Sequence, residues 1–128
     1  MLDGLTGVTG AMVRTALDAL ALQQRVSADN IANANTDGFS ARRVVFEDAL
    51  RAVEDAHAAP ELAKARLAAI GAGITAGDFI RVADAPGVQL DLEVARLNET
   101  VLKYQALVQG LEQSGSLVRM AVTGEARS

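Results

Sequence analysis

The stretch Leu90–Val122 reads LDLEVARLNETVLKYQALVQGLEQSGSLVRMAV. Within it Leu90, Val94, Leu97, Val101, Tyr104, Val108, Leu111, Gly115, Val118 and Val122 follow alternating steps of four and three, and all but Gly115 are apolar. Such steps average about 3.5 residues, the period that keeps one seam of a helix turned toward a partner helix. Val94, Val101, Val108 and Val122 take the a positions, and Leu90, Leu97, Tyr104, Leu111 and Val118 take d. The neighbouring e positions are polar: Asp91, Asn98, Gln105, Glu112 and Arg119. The pattern predicts a helix over about 90–122. At 1.5 Å per residue it extends roughly 50 Å, longer than a compact domain of this size comfortably covers.

A partner is available at the other end of the chain. At 100° per residue Leu5, Val8, Met12, Val13, Ala16, Leu17, Ala19 and Leu20 share one broad face, with Arg14, Asp18 and Arg25 opposite. This predicts a helix over about 5–35. Further along, Gln23, Ser27 and Asn30 rotate into the apolar stripe. Either the helix end lies near solvent, or these groups make inter-chain or helix-terminating hydrogen bonds, because a buried amide without partners costs about 1–3 kcal/mol. Asn33, Asn35 and Asp37-Gly38 then close the helix between Ala34 and Gly38. The fold expected is all-α or mainly α, a coiled-coil hairpin of the terminal helices with a helical or looped middle and little or no strand.

Between the ends, Val44 to Phe46 reads as a short extended piece or the start of another helix. The Ala-rich, mixed-charge segment Glu47–Ile70 reads as helical with a break near Pro60. Gly71–Gly87 holds four glycines and Pro86 around Phe79-Ile80-Arg81-Val82, the pattern of a loop with one short strand. A single domain over 1–128, with a variable middle at about 47–87, is expected from the length.

Composition excludes several classes of function. Twelve Lys and Arg stand against 16 Asp and Glu, a net charge of −4, so the basic excess that displaces phosphate counterions is missing and no nucleic-acid partner is expected. No apolar run approaches the length of about 20 residues that spans a bilayer, so no membrane insertion is expected. Met1-Leu2-Asp3-Gly4 lacks a basic n-region followed by an apolar one, so no cleaved signal peptide is expected. The absence of Cys removes disulfides, thiolate nucleophiles and Cys-ligated zinc.

Catalytic groups are equally scarce. The single His57 follows Glu54-Asp55-Ala56, a spacing that reads as a solvated helix face rather than a metal site. Gly71-Ala72-Gly73-Ile74-Thr75-Ala76-Gly77 has one residue too many for a dinucleotide fingerprint and follows a helical pattern rather than a strand. The paired carboxylates Glu47-Asp48, Glu54-Asp55 and Asp91 with Glu93 read as helix surface with basic neighbours. No enzyme, metal or cofactor is expected.

The segment Ala28-Asp29-Asn30-Ile31-Ala32-Asn33-Ala34-Asn35-Thr36-Asp37-Gly38-Phe39 resembles the N-terminal signature of the flagellar rod and hook axial proteins, A-x-N-I-A-N-x-x-T-x-G-[FY]. Val88 to Glu99 is similar to the family's V-x-L-[DE]-x-E pattern, and Leu102 to Val108, with Tyr104-Gln105-Ala106, to the L-x-Y-Q-A segment of its C-terminal helix. Asp37 stands where many members have Pro. The short length and the Lys103–Leu107 wording are most similar to the proximal rod members. The resemblance implies a structural subunit of the flagellar basal-body rod, part of the drive shaft for motility. It implies export without a cleaved signal and polymerisation in the periplasm with copies of itself, with other rod proteins and at the inner-membrane ring and export-gate junction. It also implies that Asn30, Ile31, Asn33, Thr36, Gly38 and Phe39 shape the helix end and loop at a subunit contact, while Leu97, Val101, Tyr104, Val108 and Leu111 form the seam. The alternative is a stand-alone coiled-coil adaptor or export-associated homologue that does not build a rod.

Overall fold

The computed structural model describes residues 7–123, with side chains described over residues 7–113. Leu5, placed at the start of the first helix, and the side chains of Val118 and Val122 in the expected seam lie outside the described residues. The order of elements is α1 (Gly7–Ala32), β1 (Arg42–Val44), α2 (Glu47–Asp55), α3 (Pro60–Ala76), β2 (Ile80–Val82) and α4 (Leu90–Thr123). The protein is mainly α, with its long helices at the two ends as the periodicity requires. α1 packs most extensively on α4 and next on α3, so it is flanked by partners.

The core lies where α1 meets α3. Leu22 and Val26 of α1 meet Ile70 and Ile74 of α3, and Phe46 closes the cluster at the entrance to α2. Phe46 and Phe79 stack with ring centroids 4.9 Å apart at 50°, the tilted geometry that aromatic quadrupoles favour. β1 and β2 form a two-stranded antiparallel sheet, with Arg42 opposite Val82, Arg43 opposite Arg81 and Val44 opposite Ile80. Val44 and Ile80 rest against the core, which ties the sheet to the helices.

The middle segment departs from its sequence reading at one place. The break near Pro60 is present, and Pro60 opens α3 where its missing N–H costs nothing. The helix then continues through Gly71, Ala72 and Gly73 to Ala76 instead of giving way to a loop at Gly71. Gly77, at φ 80°, closes it, and the amides of Gly77 and Asp78 return to the carbonyls of Ile74 (3.3 Å) and Gly73 (2.9 Å). That reversal drops the Phe79 ring onto Gly73, where a Cβ would lie 2.6 Å from Phe79 Cε2. Gly73 is thus a packing residue inside a helix, which its type alone does not reveal.

The end of α1 also differs from expectation, coming at Ala32 rather than between Ala34 and Gly38. The Asn33 amide still reaches back four residues to Asp29 O (3.1 Å), but the next bonds shorten to three, Ala34 to Ile31 (3.2 Å) and Thr36 to Asn33 (3.0 Å). Tightening of this kind ends an α-helix without leaving its last carbonyls bare.

The two glycines of α3 give opposite outcomes on substitution. Gly71→Ala, with nothing within 4 Å of the new Cβ, raises stability by up to about 1 kcal/mol through helix propensity. Gly73→Ala lowers it by about 1–3 kcal/mol, because the Phe79 ring cannot yield without leaving Phe46. Urea unfolding of both variants checks the pair, and Phe79→Leu in the Gly73→Ala background should recover part of the loss.

Candidate functional site

The signature segment forms the end of α1 and the turn that leads into β1. Asn30 faces inward and is fully buried, with 0% exposure. Its Nδ2 donates to the carbonyl of Arg42 (2.8 Å) and its Oδ1 accepts from the amide of Arg42 (2.9 Å). A carboxamide carries one donor and one acceptor side by side, as a peptide group does. Asn30 therefore serves as the neighbouring strand for the edge of β1 that faces away from β2. The amide is neither near solvent nor bonded between chains: it makes its hydrogen bonds, as a buried amide must, within the chain, to a strand residue twelve positions on.

Around this clamp the remaining signature residues build a closed turn. Asn33 Nδ2 donates to Asp29 O (2.9 Å), and Thr36 Oγ1 donates to Asn33 Oδ1 (3.2 Å). Gly38 takes φ 78°, a conformation that an L side chain rarely adopts. Phe39 follows with its amide on Thr36 O (3.2 Å), and its carbonyl accepts from Gly87 (2.8 Å) on the approach to α4. The Arg42 guanidinium stands 6.0 Å from the Phe39 ring centroid and 3.7 Å from Asp29. Ile31 is half-buried, while Thr36 and Gly38 are exposed.

Along α4 the inward face keeps the d row but is displaced from the a row. Glu93, Thr100 and Leu111 are buried, and Leu97, Tyr104 and Leu107 are half-buried, so the d row and the row just before a turn inward. Val101 and Val108 are half-buried beside this face, and Val94 is 41% exposed. The reason is visible in what α4 meets. Glu93, Arg96, Thr100 and Lys103 share with Gln23 and Ser27 of α1 and with Arg42 and Arg43 of β1 a polar cleft of about 230 Å³. Glu93, 3% exposed, is paired with Arg96 at 3.3 Å, and Thr100 Oγ1 donates to Arg96 O (2.8 Å). Among the described residues no buried side-chain nitrogen or oxygen lacks a partner. Polar groups can turn inward here because every one is satisfied, and the apolar a row is correspondingly displaced outward.

On the rim of the cleft Lys103 holds Glu99 at 2.8 Å. The hydrogen bond from Lys103, and then its charge, keep the Glu99 carboxyl below the usual carboxylate range. This contribution is present above the ordinary carboxylate pKa and fades as pH falls through the lowered one.

Arg42 and Thr100 escaped the sequence reading, and Glu93, expected there as helix surface, is instead buried against Arg96. A buried Asn calls for a partner but does not name it, and Glu93 and Thr100 fall one position before the apolar row. Among the described residues no three His, Asp or Glu side chains gather to hold a metal ion, and no helix is long and apolar enough to cross a membrane.

Comparison with known proteins bears on this same segment. A family model described as flagella basal body rod protein matches residues 13–39, which span most of α1 and the turn through Phe39. The match supports a flagellar rod protein with a structural role in the basal body, in assembly with other rod components. No curated protein and no solved structure matches the chain.

Asn30→Leu should expose the cost of the clamp. With the amide and carbonyl of Arg42 left unpaired at about 1–3 kcal/mol each, the variant should lose roughly 2–4 kcal/mol of unfolding free energy in urea. Asn30→Gln, whose extra methylene displaces both bonds, should lose part of that amount.

Proposed function

We propose that this flagellar rod protein is a subunit of the proximal rod, of the FlgB type, built as a single rod domain and forming part of the drive shaft for motility. It is exported without a cleaved signal and assembles in the periplasm. Its partners are copies of itself, neighbouring rod proteins and the junction of the inner-membrane ring with the export gate. The role is structural, with no catalytic group, metal or cofactor assigned.

The observation that carries this reading is the apolar row left beside the α1–α4 seam. Val94 is exposed, Val101 and Val108 are half-buried, and Leu90 just before them is exposed as well. Packing of α1 against α4 uses only part of the α4 stripe, and the remainder is placed to meet another axial subunit. Leu97, Tyr104 and Leu111 brace the hairpin from within, and Val101 and Val108 sit at its margin. Asn30, Ile31, Asn33, Thr36, Gly38 and Phe39 act through the turn they build, which fixes the angle at which the chain leaves α1. Asn30 contributes by holding β1, since no part of it reaches the surface.

Electron microscopy of basal bodies from a strain lacking the gene tests this reading. Rods should be missing beyond the inner-membrane ring and motility lost, with both restored by the intact gene. Val94→Asp should leave stability within about 0.5 kcal/mol of the parent, as surface substitutions usually do, yet prevent incorporation. Val101→Asp should do the same at a larger cost in stability. Intact rods in the deletion strain would argue for a stand-alone adaptor instead.

A further inference from the structure

Arg43 and Arg81 stand directly opposite each other in the β1–β2 sheet, and both are exposed. Like charges directly opposite on an antiparallel pair work against the pairing. Among the described residues neither guanidinium has a carboxylate within 4.0 Å, whereas Arg42, Arg51, Lys64, Arg96 and Lys103 each have one. Arg81 turns Nη1 instead to the carbonyls of Asp78 (2.8 Å) and Ile80 (3.0 Å). The sheet thus carries two like charges at its middle register, since the acids that share the α4 cleft with Arg43, Glu93 and Glu99, are paired with Arg96 and Lys103.

The complementary patch lies on another element. α2 and its exit carry Glu47, Asp48, Glu54 and Asp55, all exposed, and only Asp48 is paired among the described residues, with Arg51 at 3.5 Å. Glu54 and Asp55 sit in the last turn of α2, about 12 Å of helix from its start at Glu47. Within one chain neither acid pairs with Arg43 or Arg81 among the described residues.

We propose that Arg43 and Arg81 form the docking site for Glu54 and Asp55 of a second copy of this chain. This rests on the self-assembly reading above and names a contact separate from the apolar row of α4. Because the two patches differ, each copy keeps one patch free after docking, and the pair exposes one of each kind. The contact is heterologous and propagates head to tail, as a growing structure requires, instead of closing a dimer. As an exposed charge contact it weakens with salt.

The test uses the full chain in sedimentation velocity across a salt series, with helix content followed by circular dichroism. The parent should self-associate at low salt and dissociate as salt rises. Arg43→Glu with Arg81→Glu, and separately Glu54→Lys with Asp55→Lys, should each weaken association roughly tenfold. An equimolar mixture of the two variants should restore it, because each reversed patch then meets its opposite. Arg43→Gln with Arg81→Gln serves if the reversal disturbs the fold, and should weaken association as well.

A parent that stays monomeric, arginine variants that associate like the parent, or a mixture that fails to recover would each overturn the docking. So would binding to phosphatidylglycerol vesicles that the Gln variant loses while its self-association persists. If the charge variants associate like the parent while the chain is still found in rods, the docking fails and the rod reading stands. If the chain is absent from rods, the rod reading fails and takes this contact with it.

Discussion

One buried amide holds the architecture in register. The Asn30 side chain satisfies both the amide and the carbonyl of Arg42, and with them the edge of β1 that would otherwise be unpaired against the last turns of α1. Where β1 lies determines where Phe46 enters the core, and Phe46 leads directly into α2. On the other side β1 pairs with β2, so the same amide fixes the sheet from which the chain departs for α4. A hydrophobic contact at this point would tolerate sliding along the strand. Two directed hydrogen bonds permit a single register.

The consequence for α1 is that it is used on two sides. Leu22 and Val26 meet the α3 core, while Gln23 and Ser27 face the polar cleft shared with Glu93 and Thr100 of α4. The polar face explains why α4 settles with its a row off-centre. A helix whose inward row includes a buried Glu held by a half-buried Arg cannot at the same time bury every Val of its heptads. The leftover apolar row and the unpaired sheet arginines are unsatisfied features of an isolated chain, one hydrophobic and one electrostatic. Both are the features that the proposed assembly would use.

The long helices were legible because 3.5- and 3.6-residue periods are written directly into Leu90–Val122 and the α1 stripe. Periodicity identifies a helix and the width of its apolar face, but the rotation of that face depends on what the partner offers. Here the partner offers Ser27 and Gln23, so Glu93 and Thr100 turn inward where Val94 was expected. Gly71 and Gly73 read as loop residues because glycine disfavours helix, and nothing local shows that Phe79 returns to lie on Gly73. The signature residues were legible as a helix end, and Asn30 as an amide in need of a partner. Arg42 was not, since its backbone serves as that partner whatever its side chain. The Arg43–Arg81 pair depends on strand register, which two three-residue strands do not announce.

The most direct test of the clamp is native-state hydrogen exchange of the Arg42 amide by NMR. If Asn30 Oδ1 holds it, this amide should be protected nearly as well as the core amides of α1 around Leu22 and Val26, opening only with global unfolding. Exchange as fast as that of the exposed turn at Asn35 would contradict the account, and would mean that β1 is held by its pairing with β2 alone.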